Sequence, residues 1–213
     1  MSGHRKIAGT LLGMVEARGY ASTDGGKAMY FQFGFGKVVE AVAVLLRQHP
    51  DCRMGRKRLL KLLYIADRES LNEIARPIIG TPTTAMDQGP LHSQVYNLIK
   101  GDQHPAEEMW AHFIKSTHPY VSLVADPGVA HLSRYDVQKL EEVSERYRGT
   151  SDAELTRISH EFPEWKKNHV PRSSKPIPME DILDALGKAG KEGEIAEDIR
   201  RIALFSRVFG VPS

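Results

Sequence analysis

The stretch from Lys37 to Arg47, KVVEAVAVLLR, constrains the fold most. Val38, Ala41, Val42 and Leu45 recur at helical spacing, and Val39 and Leu46 widen the apolar stripe. A helix apolar on so much of its surface is predicted to be mostly buried. It should stop before Pro50, because a proline disfavours helical backbone at the residue ahead of it. With 213 residues, 41% hydrophobic and 26% charged, the chain has the balance of an ordinary globular protein and enough length to surround such a helix.

Helical periods continue downstream. A second helix is predicted from about Arg56 to Asn72, with Leu59, Leu62, Leu63 and Ala66 on one side. Arg76 to Pro90 reads as a small hairpin and turn, with β-prone pieces around Gly80-Thr81-Pro82. Gly89-Pro90 then leads straight into a helix marked by Leu91, Val95, Leu98 and Ile99. Ala111 to Ile114 and Tyr120 to Ala125 are short strand candidates separated by His118-Pro119. Ser133, with Asp136 three residues on, starts a helix carrying Val137, Leu140, Val143 and Tyr147. Ser151 and Glu154 have the spacing of a capping box, in which hydroxyl and carboxylate each satisfy a free backbone N–H. Leu155, Ile158 and Phe162 form the inner face of that helix, and Pro163 is predicted to end it. Asn168 to Ile177 reads as a polar, proline-bearing link, followed by helices at Pro178 to Leu186 and Glu194 to Val208.

The expected fold is mainly α: a single helical domain with a small β-hairpin or short-strand element. Residues 1–36 are read as an N-terminal arm, 37–170 as a helical core and 171–213 as C-terminal helices packing on it. In the arm, Tyr30, Phe31, Phe33 and Phe35 are interleaved with glycine and glutamine. The alternation fits one short strand or an arm docked on the body or a partner. Docking is favoured, since exposed aromatic rows are aggregation hazards.

Composition excludes several functions. Twenty-nine Lys and Arg against 27 Asp and Glu leave a formal charge of +2, too even for a dedicated non-specific nucleic-acid binder. No stretch approaches the roughly 18 apolar residues of a membrane span, and Glu16 and Arg18 interrupt the one N-terminal run that resembles a signal peptide. The single cysteine, Cys52, cannot form an internal disulfide, which fits a cytoplasmic protein. There is no Gly-x-Ser-x-Gly elbow, no phosphate loop and no dinucleotide fingerprint. Among nine histidines none has His-Glu-x-x-His spacing. The best metal constellation joins Asp67, Glu69, His92, His160 and Glu161 from separate segments, and histidines hydrogen-bonded at helix ends are the favoured reading. No metal, cofactor or catalytic set is expected.

Two clusters remain. Arg53, Arg56, Lys57, Arg58 and Lys61 place five cations within nine residues at a helix start. They fit a solvated helix face or contact with phosphate or an acidic partner. Cations are disfavoured at the positive end of a helix dipole, which weighs towards contact. The second cluster joins Lys61 to Leu71 with Met86 to Tyr96, where Asp67 and Arg68 mark the point at which a Leu-rich helix turns polar. A structural alternative is that these residues tie down the following turn.

The sequence Lys61-Leu62-Leu63-Tyr64-Ile65-Ala66-Asp67-Arg68, then Arg76-Pro77 and Gly80, then Ala85, Gly89-Pro90 and Val95-Tyr96, resembles the Panacea domain of SocA-type antitoxins. The resemblance continues through Leu132-Ser133, the helix Tyr135 to Tyr147, Ser151 to Leu155, and Ser159-His160-Glu161 followed by Trp165. It implies a bacterial or phage protein of mainly helical fold that neutralises a cognate toxin, encoded by an adjacent gene, through direct protein contact. Asp67, Arg68, Gly89, Pro90, His160 and Trp165 match the family pattern, as fold determinants or as contacts. Partner contacts are assigned to Tyr30, Phe31, Phe33 and Phe35 in the arm and to Arg53, Arg56 and Arg58 in the basic cluster. Three alternatives are carried: a DNA-binding regulator using Arg53 to Lys61, a proteolytic adaptor, and a hydrolase using Asp67, His92 and His160. Homo-oligomerisation is left open.

Overall fold

The computed structural model describes residues 34–102, 106–191, 193–195 and 197. In chain order the elements are helix α1 (Phe35–Arg47), a 3-10 turn (Pro50–Cys52), strand β1 (Arg53–Gly55) and helix α2 (Arg56–Ile74). Strands β2 (Thr83–Met86) and β3 (Gly89–His92) and helices α3 (Ser93–Lys100) and α4 (Glu107–Phe113) follow. Then come strands β4 (Ile114–Thr117) and β5 (Tyr120–Leu123) and helices α5 (Arg134–Arg146), α6 (Asp152–His160) and α7 (Pro163–Asn168). Strand β6 (Lys175–Ile177) and helix α8 (Met179–Ala185) complete them.

The widened stripe on α1 has the predicted consequence: every residue from Gly36 to Leu46 is buried. Its burial includes Lys37 and Glu40. The Glu40 carboxylate accepts from the backbone N–H groups of Ala130 and His131 at 3.0 and 2.7 Å, which pins the loop ahead of α5 to the core helix. The helix begins at Phe35, whose ring packs half-buried against the core. Phe35 is therefore helical, a correction to its strand assignment. Tyr30, Phe31 and Phe33 lie outside the described residues, as does most of the helix predicted from Glu194 to Val208.

Helix α2 lies beside α1 and also packs on α5, α6 and β3. Two antiparallel sheets flank this helical centre, with strand orders β1-β5-β4 and β3-β2-β6. The protein is mainly α, but with more β structure than the single small element expected. Pro90 and Pro176 explain the shortfall. Each stands in an edge strand of the second sheet, where a missing N–H breaks no interior ladder bond. The hairpin turn is Asp87-Gln88, with Met86 opposite Gly89, so Gly89-Pro90 is strand rather than a helix entry. The segment expected as a polar link supplies β6. Residues Ala111 to Phe113, expected as strand, belong to α4, because Met109, Trp110 and Phe113 reach the core at helical spacing. Pro163 opens α7 rather than only closing α6, since a proline's fixed φ suits the first helical turn. Ser151 accepts from the Glu154 N–H, whereas the reciprocal capping box forms at Ser133 and Asp136. A second apolar cluster of Leu71, Ala85, Ile177, Ile182, Leu183 and Ile195 joins α8 to α2 and the second sheet.

Candidate partner-binding cleft

Helical phase separates the five clustered cations. Arg58, one residue on from Lys57 and thus turned about 100° around α2, points inward and is 8% exposed. Its guanidinium donates to the Thr150 carbonyl at 2.7 Å and to that of Tyr147, and pairs with Asp152 at 3.3 Å. Arg58 therefore closes the carbonyl end of α5, and its charge is engaged by helix-end acceptors inside the fold. Arg53 is exposed and stacks on Tyr120, 3.8 Å from the ring centre. Arg56 and Lys57 lie on the open side of α2, and Lys57 donates to Gln88 at 3.2 Å across to the hairpin turn.

The two charged residues of the family motif on α2 are built into the fold. Asp67 accepts from the backbone N–H groups of Ile78 and Ile79 at 2.9 and 2.8 Å and of Gly80 at 2.9 Å. It ties down the turn after α2, as the structural alternative for this residue expected. Arg68 donates to the buried Glu164 of α7 at 2.7 Å, and Tyr64 donates to the same carboxylate at 2.9 Å. Burial and the adjacent Glu164 push the Tyr64 hydroxyl well above its ordinary pKa, so it stays a donor.

Gly89 lets the hairpin approach α2 and α6. Its φ is +91°, and a Cβ there would stand 2.4 Å from Ser159 Oγ and 2.8 Å from Lys61 Nζ. Neither the backbone conformation nor the space admits a side chain. Lys61 Nζ donates to the Pro90 carbonyl at 2.9 Å. Beside this contact, Trp165 lies between two imidazoles, with His160 stacked at 4.0 Å and His169 at 4.4 Å between ring centres. The Trp165 indole donates to the Met86 carbonyl at 3.0 Å, and His169 meets Asp87 at 2.9 Å. Burial, then the charges of Lys61 and His169, lower the His160 pKa. The motif residues Gly89, Pro90, His160 and Trp165 thus fix the hairpin tip in place.

That hairpin tip, the first turns of α2 and residues 172–174 enclose an open cleft of about 540 Å³. Leu60, Met86, Leu91 and Tyr96 give it an apolar floor, while Arg56, Lys57, Lys61 and Arg172 supply positive charge. Asp87 also lines it, but its carboxylate is occupied by His169 and by the Arg172 backbone N–H at 3.0 Å. Of these residues the sequence marked the cations of α2 and the stretch Met86 to Tyr96, but not that Arg172 to Ser174 join them. Arg172, Ser173 and Ser174 sat in a supposed link, and only the pairing of β6 brings them to the hairpin.

The hydrolase and metal constellations do not assemble. Asp67 and His92 do meet, 3.5 Å apart, but the space beside them is about 10 Å³, room for a single water. Glu69 pairs with Arg146, Glu161 pairs with Lys166 at 2.6 Å, and His160 is stacked on Trp165. Among the described residues no group of three or more His, Cys, Asp or Glu is placed to hold a metal ion. Nor is any described helix long and apolar enough to cross a membrane.

No curated protein and no solved structure matches the chain. The family model described as antitoxin SocA-like, Panacea domain, matches residues 59–166, which run from the first turn of α2 into α7 and contain the hairpin, the Lys61 contact and most of the cleft. The chain belongs to the SocA-like antitoxin family built on the Panacea domain.

Proposed function

We propose that this protein is an antitoxin that neutralises a cognate protein toxin, encoded by an adjacent gene, by binding it directly in the cytoplasm. The observation that carries the reading is the cleft: an apolar floor that lies within the family domain, and a cationic margin to which that domain gives Lys61 and the flanking residues give Arg56, Lys57 and Arg172. That mixture suits protein recognition, in which buried apolar and aromatic contacts sit inside a polar rim. The residues that a hydrolase would need are engaged otherwise, with Asp67 bound to three amides. A nucleic-acid reading is weakened because the basic cluster is divided, Arg58 and Lys61 being buried rather than presented in one row. Arg53, Arg56 and the stretch Tyr30 to Phe33 are the proposed contacts outside the motif.

Co-expression with the neighbouring reading frame tests this. The neighbour alone should arrest growth, and this chain should restore growth and co-purify with the toxin. Removing residues 1–33 should weaken rescue if Tyr30, Phe31 and Phe33 touch the toxin. A harmless neighbour, or rescue without any complex, would overturn direct neutralisation.

A further inference from the structure

Four Lys and Arg residues among those described are buried: Lys37, Arg58, Lys61 and Lys139. Three have a carboxylate within ion-pair distance. Lys37 lies 3.1 Å from Asp136, Arg58 lies 3.3 Å from Asp152, and Lys139 lies 2.8 Å from Glu73 and 2.9 Å from Glu142. Lys61, 3% exposed, has none within that distance among the described residues, and its amine meets the Pro90 carbonyl instead. Buried charges are ordinarily paired. Lys61 also lines the open cleft, beside Arg56 and Arg172, whose side chains form no ion pair within the described residues. The cleft thus gathers Lys61, Arg56 and Arg172, which no carboxylate pairs among the described residues.

We propose that this cleft receives an acidic, apolar-flanked segment of the partner protein, one carboxylate of which reaches the Lys61 ammonium. This rests on the antitoxin reading for the partner's identity, not for the site's chemistry. The floor of Leu60, Met86, Leu91 and Tyr96 calls for apolar side chains beside the acid, which a peptide supplies and a bare phosphate does not. The chain's own first 33 residues are a poor occupant, since Arg5, Lys6, Arg18 and Lys27 outnumber Glu16 and Asp24.

The site carries a proton signature. Burial, then the charge of Lys57, brings Lys61 down to about 7. Facing it are Lys57 and Arg56 from its own helix, Asp87 and Gln88 from the hairpin, His160 from α6 and Arg172 from the segment before β6. His160 is lowered below its ordinary value by burial and by the charges of Lys61 and His169. An entering carboxylate is ionised throughout and raises the Lys61 pKa. Affinity is therefore full below about pH 7 and falls as pH rises, by about tenfold per unit.

The test uses the full chain and a short fluorescein-labelled peptide of alternating Glu and Leu, followed by anisotropy from pH 6 to 9. The peptide is expected to bind, to weaken above pH 7, and to lose that pH dependence with Lys61→Met. A double substitution of Arg56→Glu and Arg172→Glu on the cleft wall, with folding checked by circular dichroism, should abolish binding. A matched peptide with Lys for Glu should not bind. Undetectable binding of the Glu peptide, affinity that is flat with pH, indifference to the double variant, or tighter binding of a single-stranded oligonucleotide would each overturn the proposal. Growth rescue separates the two readings. If the double variant still rescues, the cleft falls and the antitoxin stands; if the wild-type protein does not rescue while the peptide pattern holds, the reverse follows.

Discussion

Lys37 and Lys61 sit on the two central helices, 2% and 3% exposed, and the fold treats them oppositely. Around Lys37 the charges close on themselves. Asp136 lies 3.1 Å from the lysine, accepts from Arg76 at 2.9 Å, and accepts from the Ser133 backbone N–H at 3.0 Å at the start of α5. One carboxylate thereby joins α1, the turn after α2 and α5. Around Lys61 there is a carbonyl, an adjacent glycine and an opening to solvent. Both amines are lowered by burial, and at Lys37 the Asp136 charge opposes the effect. The first arrangement specifies the fold, while the second leaves a charge to be answered from outside.

The largest effect is expected from opening the closed site. Asp136→Asn leaves the buried Lys37 and the half-buried Arg76 without their carboxylate and should cost about 3–5 kcal/mol in denaturant unfolding. A loss below about 1 kcal/mol would show that water or a neighbouring acid answers these charges, and the contrast with Lys61 would collapse.

The open site behaves differently with pH. Lys61 is near 7 when folded against an ordinary 10.5, so between those values the unfolded chain binds more protons. Its destabilising effect is full below pH 7 and is relieved as pH rises, so this group makes stability increase with pH across the window. The relief amounts to about 2 kcal/mol between pH 7 and 9. Lys61→Met, which keeps the apolar stem, should remove that part of the slope. The difference between parent and variant, measured by chemical unfolding at pH 6, 7.5 and 9, isolates the lysine from other titrating groups. A difference that stays constant with pH would mean that Lys61 remains charged in the folded protein.

The sequence makes the closed half of the molecule easier to read than the open half. The breadth of the apolar stripe from Val38 to Leu46 is a local property, and it predicted the burial of α1. Ser133 and Asp136, three residues apart, marked the start of α5 for the same reason. What Asp136 does for Lys37 and Arg76 depends on contacts with residues about 100 and 60 positions earlier in the chain, which no local spacing encodes. At the cleft, charge was legible but direction was not: Arg53, Arg56, Lys57, Arg58 and Lys61 form one run in sequence and face three different surroundings in the fold. Pro90 and Pro176 concealed the strands that build the cleft wall, because a proline is read as a break until the edge position is known.

The smallest effect sharpens how much of Asp136's contribution belongs to helix capping. At Ser133 the hydroxyl accepts from the Asp136 N–H at 3.2 Å and also meets Arg76 at 3.2 Å, in a half-buried setting. At Ser151 the hydroxyl accepts from the Glu154 N–H at 3.1 Å in an exposed one, and Glu154 turns to Arg157 instead of returning to the cap. Ser133→Ala removes a cap together with a link to the buried charge cluster, and should cost about 1–2 kcal/mol. Ser151→Ala removes a cap that water readily replaces, and should cost about 0.5 kcal/mol. If thermal unfolding gives the two substitutions equal costs, Ser133 acts only as a cap and the buried charges hold without it. If Ser133→Ala costs more, and the excess disappears in an Asp136→Asn background, the serine and the carboxylate act as one unit, and the closed site includes the helix start as well as its ion pairs.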